Sequence, residues 1–133
     1  MDSPDAPAPR EHALRTFMDS YCEAWNREDL DAILDAYHVP SFTYKDGRLH
    51  AFLDAESRRE YVAGFIEVNR QEGPATWEIA SFAVIDLGRN SSLVTARWAF
   101  RRPDGSVVWD FVDSYHLCRF DGRWEFLIRT LHD

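Results

Sequence analysis

The chain has 133 residues, 45% of them hydrophobic and 14% aromatic, and a formal charge of −8. That length suits one domain that buries roughly two thirds of its unfolded surface around a single core. The acidic balance argues against a nucleic-acid backbone or an anionic membrane as the principal partner. No apolar run approaches the roughly 18 residues of a membrane span, and the start, Met1 to Pro9, lacks the basic and apolar regions of a secretory signal. The expected location is therefore cytoplasmic.

Residues 1–9, with Pro4, Pro7 and Pro9, read as a disordered lead, and residues 10–133 as a single domain. From Arg10 to Trp25 the apolar residues Leu14, Phe17, Met18, Tyr21, Cys22 and Trp25 recur at three and four positions, one stripe of a helix. Asn26 followed by Arg27-Glu28-Asp29 reads as an N-cap opening a second helix, with Leu30, Ile33, Leu34 and Tyr37 inward and Pro40 as its stop. A short strand over Ser41–Tyr44 and a turn at Lys45–Arg48 follow. Asp54 or Ser57 then caps a third helix, which Gly73-Pro74 closes. Beyond Pro74 the pattern is antiparallel sheet, with strands near 76–87, 92–102, 106–120 and 123–131. Helices first and strands after predict an α+β fold in which three N-terminal helices pack on a curved, mostly antiparallel sheet.

Turn chemistry sets a register. Pro103-Asp104-Gly105 suits a three-residue hairpin loop and Asp121-Gly122 a two-residue one. Counting outward without interruption puts Val94, Ala96, Trp98 and Phe100 on one face with Asp110, Val112, Ser114, His116, Leu127, Arg129 and Leu131. The other face collects Trp109, Phe111, Asp113, Tyr115, Leu117, Trp124, Phe126 and Ile128. Both faces are apolar enough to need cover, and the helices can cover one. The expectation is a helix-lined hydrophobic pocket on the first face and a homodimer interface on the aromatic face, with the opposite assignment as the alternative.

Tyr21-Cys22-Glu23-Ala24-Trp25-Asn26-Arg27-Glu28-Asp29-Leu30-Asp31 and Asp121-Gly122-Arg123-Trp124 resemble the nuclear transport factor 2-like superfamily, over about residues 10–131. That superfamily includes ketosteroid isomerase, scytalone dehydratase, limonene epoxide hydrolase and SnoaL-type cyclases. The resemblance implies a cone of bent sheet around helices that often dimerises through its outer sheet surface. It also implies that Tyr21 stands at the isomerase's oxyanion-hole tyrosine and His116 at its second donor. Lys45, beside Asp46, stands where the isomerase carries its general base, a departure from that pattern. Arg129 and Asp110 are similar to the hydrolase's arginine and aspartate, at a spacing that does not transfer cleanly.

The candidate catalytic residues are Tyr21, His116, Arg129 and Asp110, since an imidazole can move protons near neutral pH and an inward guanidinium needs an anionic partner. Asp110 and His116 lie six residues apart, roughly 20 Å on an extended strand, and form no dyad. Tyr44, Trp98, Phe100, Val112, Ser114, Leu127 and Leu131 are the candidate ligand-binding residues. Cys22 and Cys118 read as reduced thiols, and no cysteine or histidine spacing suggests a metal. The expected activity is that of a cofactor-free lyase, isomerase or cyclase acting on a small apolar carbonyl or hydroxy compound. The alternative is a non-catalytic ligand-binding or dimerisation module.

Overall fold

Residues 7–133 are described by the computed structural model. Three helices, α1 (Pro7–Asn26), α2 (Leu30–Asp35) and α3 (Ala55–Arg70), accompany six strands: β1 (Tyr37–Lys45), β2 (Arg48–Phe52), β3 (Thr76–Asp86), β4 (Ser91–Arg101), β5 (Val107–Phe120) and β6 (Arg123–Leu131). The strands form one sheet in the order β2-β1-β6-β5-β4-β3, with only the β1–β6 pair parallel. This is the α+β arrangement expected. None of the described helices is long and apolar enough to cross a membrane.

The helical stripe of α1 is buried as its spacing requires, with Leu14 and Met18 fully enclosed and Tyr21 and Cys22 nearly so. The helix begins earlier than expected. Pro7 and Pro9 lie in its first turn, where a missing N–H costs nothing; the rest of the expected lead lies outside the described residues. Burial, then nearby carboxylates, push the Cys22 thiol up to about 11, so it stays an unreactive S–H.

Asn26 ends α1 instead of capping α2. Its Nδ2–H donates to the Trp77 carbonyl at 3.0 Å, and its Oδ1 accepts from the Trp77 N–H at 2.7 Å. The cap of α2 is Asp29, which accepts from the Ala32 N–H at 3.1 Å. An Asn26→Ala variant strands the Trp77 N–H and leaves the Trp77 carbonyl only the weaker Cys22 thiol donor at 3.4 Å, and a buried orphan costs about 1–3 kcal/mol. A urea midpoint lowered at unchanged slope is the expected reading.

The second helix stops at Asp35, short of Tyr37, which instead opens β1 beside Phe126 of β6. Pro40 is accommodated inside β1 because it falls in the irregular stretch between Tyr37 and Phe42, where no ladder donor is required. Strand β2 carried no sequence signal. Four of its five residues are exposed, so it shows no alternation.

The register departs from uninterrupted counting at two places. Arg101 pairs with Val107, but Phe100 pairs with Trp109, leaving Val108 as an extra residue. Leu117 pairs with Phe126 and His116 with Ile128, leaving Leu127 extra. Each bulge moves the following side chains to the opposite face. Trp109, Phe111, Asp113, Tyr115 and Leu117 of β5 therefore join Val94, Ala96, Trp98 and Phe100 of β4 beneath the helices, and Val112, Ser114 and His116 turn outward. The assignment of the aromatic face to an outer surface is thus corrected. The physical reason is burial: Trp109 stacks on Phe100 with centroids 5.4 Å apart, and Tyr115 packs on Phe126 at 4.6 Å. Large rings gain more from leaving water than Val108, Ser114 or His116 can.

Candidate functional site

Where α1 and α3 cross the concave side of the sheet, side chains from every layer enclose a chamber of about 30 Å³, room for a water or two. Tyr21 and Trp25 of α1, Tyr61 and Phe65 of α3, and Trp77, Trp98 and Phe111 of the sheet form its mostly aromatic wall. Asp113 and Arg129 are its charged members. Past Tyr61, Phe65, Phe111 and Arg129 lies a wider vestibule of about 320 Å³ that Lys45, Val68, Trp109, Asp110 and Leu131 also line.

Asp113 is 1% exposed, an unusual place for a carboxylate unless it is paired. Its Oδ2 accepts from Arg129 Nε at 2.6 Å and from the Tyr115 hydroxyl at 3.0 Å. Tyr115 in turn accepts from the Trp98 indole N–H at 2.9 Å. The β-ladder builds this cluster: Tyr115 lies opposite Arg129, and Asp113 opposite Leu131. The second carboxylate oxygen, Oδ1, is buried without a hydrogen-bond partner. Burial pushes the Asp113 carboxyl above the usual range, with the charge and hydrogen bond of Arg129 and the Tyr115 hydroxyl pulling the other way. Burial also acts to discharge Arg129, but the attraction of Asp113 and the surrounding tyrosines outweighs it and holds the guanidinium charged.

A second polar pair faces the same chamber. The Tyr21 and Tyr37 hydroxyls lie 2.6 Å apart; whichever donates, the other keeps a proton for a further acceptor. Burial, then Tyr37, raise the Tyr21 pKa well above its ordinary value, so this hydroxyl stays protonated. Behind Tyr37, the buried Arg58 guanidinium stacks 4.2 Å from that ring and 3.7 Å from Phe52, and donates to Ser41 and Thr43. Burial lowers its pKa.

Of the residues singled out from sequence, Tyr21, Arg129 and Trp98 line the chamber, and Leu131 lines the vestibule. Phe100 lies in the core behind, stacked 4.5 Å from Trp77. Asp110 sits half-exposed at the vestibule rim, tied to Arg97 at 3.0 Å. His116 is on the outer face, contrary to the expected register, and its buried Nε2 has no hydrogen-bond partner. Ser114 is outward too, between Thr95 at 2.9 Å and His132 at 2.6 Å. Val112 shares that face, Leu127 is the bulge residue, and Tyr44 is 44% exposed, next to Thr130. Sequence reasoning missed Asp113, Tyr37, Tyr61, Phe65 and Trp77. One signal for Asp113 was present: a lone carboxylate within the row Trp109, Phe111, Tyr115, Leu117 has no structural reason to be there unless it is held. Among the described residues, no group of three or more histidine, cysteine or acidic side chains could hold a metal.

Residues 10–133 match the family model described as NTF2-like protein (DUF6841). The chain belongs to the NTF2-like family. Solved structures agree at the level of fold. An NTF2-like protein of unknown function from Shewanella oneidensis MR-1 is 21% identical over 90% of this chain and 96% of its own, with a TM-score of 0.66. One from Pseudomonas putida KT2440 is 14% identical over 93% and 86%, with a TM-score of 0.75. A cystatin-like-fold protein of unknown function from Nostoc punctiforme PCC 73102 is 6% identical over 89% and 86%, with a TM-score of 0.73. No curated protein matches the chain. This NTF2-like chain thus shares its cone with proteins of varied sequence, and its chemistry has to be read from its own chamber.

Proposed function

We propose that this NTF2-like chain binds a small, largely apolar carbonyl or hydroxy compound with its body in the vestibule and its reacting end at the aromatic chamber, and moves a proton on it without a cofactor, as a lyase, isomerase or cyclase would. The observation that carries this reading is the Asp113 carboxylate, held through one oxygen by Arg129 and Tyr115, with its other oxygen buried and unpartnered. A raised pKa suits a carboxylate to proton transfer. In this reading Asp113 Oδ1 takes a proton from the carbon next to the carbonyl, and the electron pair of the broken C–H bond moves into the carbonyl. A tyrosyl O–H from the Tyr21–Tyr37 pair then hydrogen-bonds the oxygen on which negative charge collects. The small volume of the chamber beside Asp113 favours a second reading, a non-catalytic module that holds its ligand in the vestibule short of that carboxylate; turnover separates the two.

The test is proton exchange on a simple probe. In heavy water the protein is expected to deuterate 2-tetralone beside its carbonyl faster than buffer does. Asp113→Asn is expected to lower the excess by on the order of 100- to 10,000-fold, and Tyr21→Phe to lower it about 100-fold, the usual cost of one oxyanion donor. Exchange that is unchanged in Asp113→Asn defeats the catalytic reading. The homodimer is part of the same proposal, now through the outer face that carries Val112, Ser114, His116 and Ile128. Sedimentation at micromolar concentration is expected to show a dimer.

A further inference from the structure

The vestibule has a charge pattern that the proton-transfer reading does not use. Lys45 and Arg129 lie on adjacent strands and the same face: Thr43 pairs with Arg129 across the parallel β1–β6 ladder, and Lys45 is two residues further along. Both line the vestibule. Each carboxylate nearby already has a cation, Asp113 with Arg129 at 2.6 Å and Asp110 with Arg97 at 3.0 Å. The Lys45 ammonium makes no ion pair or hydrogen bond among the described residues, the residue's backbone pairing with Arg48 in the β1–β2 ladder. The vestibule wall therefore carries one uncompensated positive charge, in a chain whose formal charge is −8, next to the apolar surfaces of Phe65, Trp109, Phe111 and Leu131.

We infer that the vestibule selects an anionic ligand: an aryl or alkyl carboxylate whose acid group lies between Lys45 and Arg129 while its apolar body rests on Phe65, Phe111 and Trp109. Three features support this. The volume of about 320 Å³ is at the lower end of ordinary ligand sites. The guanidinium keeps donors beyond the Nε and Nη1 that it commits to Asp113 and Tyr61. An ammonium on a flexible stem can close on a carboxylate as a charge-assisted donor. The inference rests on the reading above that the hollow takes a small molecule, and it names the class: the carbonyl or hydroxy compound carries a carboxylate as well.

The test compares 1-naphthoate with its neutral amide, 1-naphthamide, by quenching of tryptophan fluorescence, since Trp109 lines the site. The wild-type chain is expected to bind the carboxylate about 10-fold more tightly than the amide, the scale of a hydrogen bond to a charged group. The preference should shrink as salt is raised. Lys45→Arg keeps it, Lys45→Gln removes most of it, and Lys45→Glu inverts it in favour of 1-naphthylmethylamine. Lys45 is at the mouth of the cone and outside the core, so these variants fold. Equal binding of acid and amide, no binding of either, or a preference untouched by Lys45→Glu overturns the inference. Failure here leaves the deuteration of neutral 2-tetralone and its dependence on Asp113 standing, so the two proposals fail separately.

Discussion

Replacing Arg129 with methionine is expected to cost about 3–5 kcal/mol of folding stability, and replacing Asp113 with asparagine a similar amount, whereas both changes together cost far less than their sum. The reason is desolvation. The two groups meet at 2.6 Å with side-chain exposures of 12% and 1%, so either charge left alone is stranded in a medium that solvates it poorly. An aspartate can relieve the strain by taking a proton; an arginine cannot. In the double variant the asparagine oxygen still accepts from the Tyr115 hydroxyl, and methionine fills the volume of the guanidinium stem, so no buried charge is left. Urea denaturation of the four proteins completes the cycle. Penalties that simply add would show that the pair is no more than two separate surface-like groups. The double variant should also fail to deuterate 2-tetralone despite its recovered stability, and that separates the structural use of the pair from the chemical one.

The fold was legible in the sequence because its punctuation is local. Gly105 and Gly122 adopt positive φ of 88° and 78°, as their turns demand, and the ends of β3 to β6 fall within a residue or two of the positions read from those turns. The α1 stripe was legible for the same kind of reason, since 3.6-residue spacing survives any tertiary detail. Strand phase was not. The bulges at Val108 and Leu127 carry no glycine or proline, and what selects them is the burial of Trp109, Phe111 and Tyr115 against residues distant in sequence. One uncounted residue on β5 moved His116 out of the hollow and Asp113 into it. Arg129 stayed inward because the second bulge cancels the first along β6. The aromatic row carries the larger apolar side chains of the two faces, and its greater gain on burial is the argument that places it under the helices.

The largest effect on activity is expected at Asp113, and its pH dependence has a definite sign. A base works only when ionised. Because burial raises the Asp113 carboxyl above its ordinary value of 3.8, the rate of 2-tetralone deuteration should rise with pH along a limb lying above that value, and then level off. Asp113→Asn should lose on the order of 100- to 10,000-fold of the excess rate and flatten the limb. Stability should move the opposite way. A carboxyl that holds its proton more tightly in the folded chain than in the unfolded one gives the folded state the larger proton count between the two pKa values. Its contribution to stability is therefore fully present below 3.8 and is lost as pH rises through the raised folded value. Subtracting the stability curve of Asp113→Asn from that of the parent isolates this contribution, because the other carboxylates are common to both. A difference that grows with pH in that window would mean that Arg129 has overcome burial and pulled the carboxyl below its ordinary value. The residue would then be a fixed counter-ion with too little basicity to take a proton from carbon.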